Sequence, residues 1–184
     1  MVPGGFGSRG VEGIIAAVRF ARERKVPYLG LCYGMQLAAV EFARNACGIT
    51  DAHTAEVVAD TKSPVIHVMP DQAKKMLKRE YGGTMRLGAW ECTLLPGTKS
   101  REAYGTDTIS ERHRHRYEFN NEYREKLAAC GLTVAGTSPD GALVEIIELR
   151  QHPFFVGVQF HPEFQSSPLK PHPLFQAFVD AAAK

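Results

Sequence analysis

Pro27-Tyr28-Leu29-Gly30-Leu31-Cys32-Tyr33-Gly34-Met35-Gln36 reads as a short apolar strand, a sharp turn and the start of a helix. The helix continues through Leu37-Ala38-Ala39-Val40-Glu41-Phe42-Ala43. Cys32 stands at the corner, with glycine two residues before it and two after. That spacing is the pattern of a nucleophile elbow, in which small neighbours let a strained backbone lift one side chain above the sheet. A helix N-terminus beneath the sulfur is expected to favour its thiolate, and free N–H groups of the first turn point towards an oxyanion formed there. Taken alone, a cysteine here reads equally as a packing residue that caps a core strand.

Working outward, residues 11–24 carry Val11, Ile14, Ile15, Val18 and Ala21 near the helical period, with Arg and Glu on the other side. A helix over 34–46 ends at Gly48. Residues 49–63 show no clear period. Strands are expected at 65–69 and 84–95, with a polar surface excursion over 71–83 between them. Residues 109–119 alternate, 121–130 read as a helix, and 132–136, 143–149 and 154–160 read as strands. Pro173 opens a closing helix through Ala183. Early strand–helix alternation followed by hairpin-like strands predicts one α/β domain over 1–184, a three-layer α/β/α sandwich with a β-rich extension.

Composition excludes several classes. The chain has 184 residues and a formal net charge of +2, so neither nucleic acid nor a membrane surface is expected as its main partner. No apolar run approaches the ~18 residues of a membrane span. The four cysteines (32, 47, 92, 130) lack CxxC spacing, so neither a zinc site nor a disulfide framework is expected, and a reducing cytoplasm fits best. Cys47, Cys92 and Cys130 are expected to be packing residues. Met1-Val2 runs straight into Pro3-Gly4-Gly5-Phe6-Gly7, a turn that normally follows a full strand. That start predicts a sheet whose first strands are missing.

A thiol nucleophile needs a base, and the base needs an orienting group. His161-Pro162-Glu163 follows an apolar strand and offers both, since side chains two apart on an extended segment point the same way. The Gly-rich turn lacks the Walker lysine and GxGxxG spacing of a phosphate cradle. It can instead present an unobstructed backbone N–H as an oxyanion donor. In Arg112-His113-Arg114-His115-Arg116-Tyr117, strand alternation puts arginines on one face and histidines on the other. In a near-neutral chain this favours a small anionic substrate or a partner surface over nucleic acid.

Four patches then resemble one family. PGGFGSRG (3–10), GLCYGMQ (30–36), RHRHRYEFN (112–120) and HPEF (161–164) are similar to class I (triad-type) glutamine amidotransferases of flavodoxin-like fold. The first and third, with Gly83-Thr84-Met85-Arg86-Leu87-Gly88, resemble the glutaminase domains of CTP synthases, from residue 2 to about residue 180. The resemblance implies Cys32 as nucleophile, His161 as base and Glu163 as its orienting carboxylate. It implies the N–H groups of Gly5 and Tyr33 as the oxyanion hole. Phe6, Gly34, Met35, Gln36, Glu56 and Arg116 match positions around the substrate L-glutamine. No cofactor is implied for glutamine hydrolysis. ATP, magnesium and the activator GTP are implied for the complete enzyme, which aminates UTP through an amidoligase domain and assembles as a homotetramer. Tyr33 departs from the pattern, which has leucine there, and its phenol is expected to crowd the glutamine's approach. The alternatives are a domain serving another synthetase, a free-standing γ-glutamyl cysteine hydrolase, and a truncated, silent domain.

Overall fold

The computed structural model describes residues 1–68 and 85–184. Met69, Pro70, the 71–83 excursion and Thr84 lie outside the described residues. In chain order the elements are α1 (Val11–Arg24), β1 (Tyr28–Leu31), α2 (Tyr33–Asn45), β2 (Ala52–Thr54), β3 (Ser63–Val68), β4 (Arg86–Leu94) and α3 (Lys99–Tyr104). There follow β5 (Thr108–His115), β6 (Tyr117–Phe119), α4 (Arg124–Ala129), β7 (Leu132–Thr137), β8 (Val144–Leu149), β9 (Phe155–Val158) and α5 (Pro173–Ala182).

Six strands form one mixed sheet in the order β1-β9-β8-β7-β4-β5. Only β1 and β9 run parallel within it, with Tyr28 opposite Phe155 and Leu31 opposite Val158. The remaining pairs are antiparallel. Val2 runs alongside β1, its N–H donating to the Leu29 carbonyl at 2.9 Å and its carbonyl accepting from the Leu31 N–H at 2.9 Å. A smaller sheet, β2-β3-β6, stands beside α2.

Two apolar cores make three layers of this. One joins Val11, Ile15 and Val18 of α1 to Met35, Leu37 and Val40 of α2, Leu127 of α4 and one face of the sheet, including Ile147 and Phe155. The other sets Leu29, Leu31, Ile146, Val156 and Val158 against Leu174 and Phe178 of α5. Because α2 lies between α1 and the sheet, nearly all of its circumference is buried, including the polar Gln36 and Glu41. Glu41 is reached by the Arg22 guanidinium through Nη2 at 2.8 Å and Nε at 2.9 Å, a two-pronged pair that locks α1 to α2.

Some boundaries differ from the sequence expectation. The alternating run 109–119 divides at Arg116 into β5 of the large sheet and β6 of the small one. The 121–130 segment starts as a 3₁₀ turn before α4. The six-residue helix α3 has too few turns to show a period and carries no expectation from sequence; its Thr98 side chain caps it. The cysteine expectation is corrected more sharply. Cys47, just past α2, and Cys130, at the end of α4, form a disulfide with their Cα atoms 5.7 Å apart. Their 83-residue separation hides the pairing, since only the folded chain brings the ends of α2 and α4 together.

Glu118 of β6 has a buried Oε2 with no hydrogen-bond partner among the described residues, and its burial pushes the carboxyl up to about 7. An unfolded carboxyl titrates near 4.5. The folded form therefore holds its proton to higher pH, so this stability is present in acid and lost as pH rises through about 7. Glu118→Gln is expected to melt with the parent near pH 5 and to be more stable by about 1–3 kcal/mol near pH 8. Thermal melts at both pH values test this, and equal melting at the higher pH would contradict it.

Candidate active site

The apolar strand β1 drives the chain into the sheet, and Cys32 follows its last residue. The Cys32 backbone sits at φ 47°, ψ −100°, a conformation that costs an L-residue of order 1–3 kcal/mol. It is held there by its own N–H donating to the Val158 carbonyl of β9 at 2.7 Å. The next residue opens α2, so the sulfur stands at the N-terminus of a helix at the carboxyl ends of two parallel strands.

His161 emerges just beyond β9, its N–H fixed to the Arg112 carbonyl at 2.8 Å. Its Nδ1 lies 2.6 Å from Glu163 Oε1. A carboxylate only accepts, so Nδ1 carries the hydrogen, and the lone pair of the neutral ring is on Nε2. That Nε2 is buried with no partner among the described residues, as a base awaiting a proton would be. Phe164 stacks on the ring at 5.0 Å between centroids. On another side Gly4 comes so near that an added Cβ would lie 2.7 Å from His161 Cε1.

A cavity of about 590 Å³ joins these parts. Of the residues expected from sequence, Gly5, Phe6, Cys32, Gln36, Glu56, Arg116, His161 and Glu163 line it. Tyr33, Gly34 and Met35 do not. Met35 is fully buried in the core, and Gly34 abuts Val2. The Tyr33 phenol turns away from the cavity: its hydroxyl donates to the Gly7 carbonyl, and its ring lies against Gly5. With the Gly7 N–H donating to Glu56 Oε1 at 2.8 Å, this ties the Gly-rich turn down at two points. The expected crowding is therefore replaced by support of the loop.

The wall also contains residues that sequence reasoning did not assign, among them His115 and Tyr117. The Tyr117 carbonyl accepts from Gln36 Nε2 at 2.8 Å and from His115 Nδ1 at 3.0 Å. That fixes the His115 tautomer, so its Nε2 accepts from His113 Nδ1 at 3.1 Å. Burial holds both rings neutral, pushing His113 down to about 2 and His115 to about 3. The buried half of the alternating segment was legible from its period, whereas the carbonyl it supports was not.

The thiol corrects one expectation. Burial pushes Cys32 up to about 12, outweighing the Tyr33 N–H that stabilises its thiolate. The resting sulfur is a neutral thiol rather than the thiolate expected from the helix end, so attack requires that its proton be taken away. Cys92 is pushed up further by burial and lies in the core.

The family profile described as "Glutamine amidotransferase class-I" matches residues 1–181. This chain belongs to that family. Among its relatives, this class-I glutamine amidotransferase is 60% identical over 184 residues to the CTP synthase of Carboxydothermus hydrogenoformans, covering all of this chain and 34% of that protein. It is likewise 60% identical to the CTP synthase of Roseiflexus castenholzii, covering all of this chain and 33% of that protein. The chain thus spans about a third of the length of the curated relatives it matches. Among solved structures, it superposes on the glutaminase domain of Trypanosoma brucei CTPS with bound acivicin at a TM-score of 0.92. Identity there is 39%, with 99% of this chain and 69% of that one covered. A glutamine amidotransferase from Methylobacillus flagellatus, at 16% identity, 84% and 45% coverage and a TM-score of 0.53, shares the fold. Among the described residues no helix is long and apolar enough to cross a membrane.

Proposed function

We propose that this amidotransferase hydrolyses L-glutamine to glutamate and ammonia through Cys32, His161 and Glu163. The observation that carries the reading is the convergence on one cavity of a strained elbow thiol and an imidazole whose free Nε2 is set by a carboxylate. His161 Nε2 takes the Cys32 proton as Sγ bonds to the carboxamide carbon. The N–H groups of Gly5 and Tyr33 receive the oxyanion. His161 then passes that proton to the leaving nitrogen, the C–N bond breaks, and ammonia departs from a γ-glutamyl thioester. Water, activated by the same imidazole, adds to the thioester and releases glutamate.

Glu56 supplies the carboxylate for the substrate α-ammonium, Arg116 suits its α-carboxylate, and Gln36 keeps a buried Oε1 that needs a donor. In the whole protein the ammonia would pass to an amidoligase domain that aminates UTP to CTP, within a homotetramer. ATP, magnesium and GTP are assigned to that larger protein. Among the described residues no group of three His, Cys, Asp or Glu could hold a metal ion.

The test is a glutamine-mimicking diazoketone followed by peptide mapping. Alkylation should fall on Cys32, be blocked by excess glutamine and spare Cys92. Labelling at Cys92 instead, or labelling of Cys32 that glutamine does not slow, would defeat the assignment. A preference for γ-glutamyl peptides over glutamine would redirect it to the free-standing hydrolases.

A further inference from the structure

Gln159, between β9 and His161, is 1% exposed and has no role in the reaction as derived above. Its side-chain Nε2 lies 3.6 Å from Cys32 Sγ. We infer that Gln159 is a catalytic residue, donating a hydrogen bond to the Cys32 sulfur and stabilising it as the thiolate forms and as the leaving group of the thioester.

The orientation of that amide follows from its neighbours. The Tyr117 carbonyl can only accept, so the Gln36 atom 2.8 Å from it is the NH₂ nitrogen. The second hydrogen of that nitrogen points to Gln159 at 3.2 Å, which makes the Gln159 atom there the oxygen. The Gln159 NH₂ is left facing the sulfur. The backbone is pinned as well, since the Gln159 N–H donates to the Glu145 carbonyl at 2.8 Å. Gln36, Gln159 and Cys32 are all buried, and Tyr117 is partly so, which keeps the donor facing the sulfur in the resting site.

The sulfur needs such a donor. Burial penalises its charge more than anything else nearby, and the Glu163 and Glu56 carboxylates add to the penalty. Against these stand the Tyr33 N–H and the Gln159 amide. The Tyr33 N–H is also required by the oxyanion. Once the tetrahedral intermediate draws that group away, Gln159 is the remaining neutral donor on the sulfur among the described residues. A donor whose bond strengthens as charge develops favours the transition state over the ground state, so its loss falls on kcat rather than KM.

The inference rests on Cys32 as the nucleophile, and its test is read first on the sulfur itself. The 184-residue chain and its Gln159→Met and Gln159→Leu variants, similar in volume but without a donor, are alkylated with iodoacetamide between about pH 7 and 10, below the Cys32 midpoint. The Cys32 peptide is followed by mass spectrometry. In that range the rate follows the thiolate fraction, and it should fall by about tenfold in both variants at every pH, matching a rise of about one pH unit in the midpoint. Glutaminase kcat should fall by at least as much, with KM within about twofold. A purely structural glutamine would leave a looser site, so alkylation that is unchanged or faster overturns the inference even where kcat has dropped. Failure of both variants to fold would assign Gln159 to the core and overturn it as well. Should the parent chain fail to hydrolyse glutamine, the proposed function falls, while the alkylation comparison still decides the role of Gln159.

Discussion

Cys32→Ala is expected to lower glutamine hydrolysis by more than about 10⁴-fold while leaving the fold in place. The sulfur is the atom that bonds to the carboxamide carbon, and nothing else among the described residues of the cavity wall can replace it. Glu163→Gln is expected to lose roughly 10–10² less than that, since Glu163 acts through His161. Its carboxylate sets the tautomer at 2.6 Å from Nδ1, and its side chain is 41% exposed, so water can partly take its place. Steady-state assays on both variants at matched melting temperature make the comparison. Equal and total loss in both would mean that Glu163 touches the substrate directly. A third variant separates chemistry from strain. Cys32→Gly should be as inactive as Cys32→Ala but at least as stable. Glycine accepts φ 47° freely, and relief of about 1–3 kcal/mol outweighs its entropic cost of about 0.5–1 kcal/mol. A glycine variant clearly less stable than the alanine one would show that the elbow is not strained.

The parts of this site that were legible in the sequence are those fixed by short-range rules. Glycines around Cys32 specify a sharp corner, and Glu163, two residues on, does reach His161, although Pro162–Gln165 forms a 3₁₀ turn in place of the extended segment expected. The three layers were legible too, because Val11, Ile15 and Val18 keep the helical period, β9 is a continuous apolar run and β8 is apolar apart from Glu145 and Glu148. What could not be read depends on elements distant in sequence. Gln159 lies 127 residues from Cys32, and nothing local to either residue announces their contact. Tyr33 reads as an obstruction until Gly7 is placed opposite its hydroxyl. The Cys47–Cys130 bond requires knowing that α2 and α4 end side by side. The protonation of Cys32 was misjudged for a related reason. A helix end is visible in sequence, but the burial that outweighs it depends on elements that are distant along the chain.

Gly30→Ala should cost about 2–3 kcal/mol of stability and at least about 10² in kcat/KM, although it adds a single methyl group. Gly30 lies in β1 directly under the first turn of α2. A Cβ there would stand 2.7 Å from the Tyr28 hydroxyl, 2.8 Å from the Gly34 carbonyl carbon and 2.9 Å from its oxygen. A side chain could rotate away, but two of these three atoms are backbone. The third donates to that same Gly34 carbonyl at 2.9 Å, so moving it breaks a buried hydrogen bond. The methyl can be housed only by sliding the start of α2 away from β1, which moves Cys32, the Tyr33 N–H and the Gln36 amide together. Displacing a nucleophile and its oxyanion donor by a fraction of an ångström is enough for the predicted loss of rate. Gly13 is the control. It lies exposed in the first turn of α1 with nothing within 4 Å of an added Cβ, so Gly13→Ala should stabilise the protein by up to about 1 kcal/mol and leave turnover alone. Thermal melts of the two variants should therefore move in opposite directions, and glutaminase kinetics should change only for Gly30→Ala. If Gly30→Ala melted with the parent and kept its rate, the close fit of β1 beneath α2 would not be what aims the thiol.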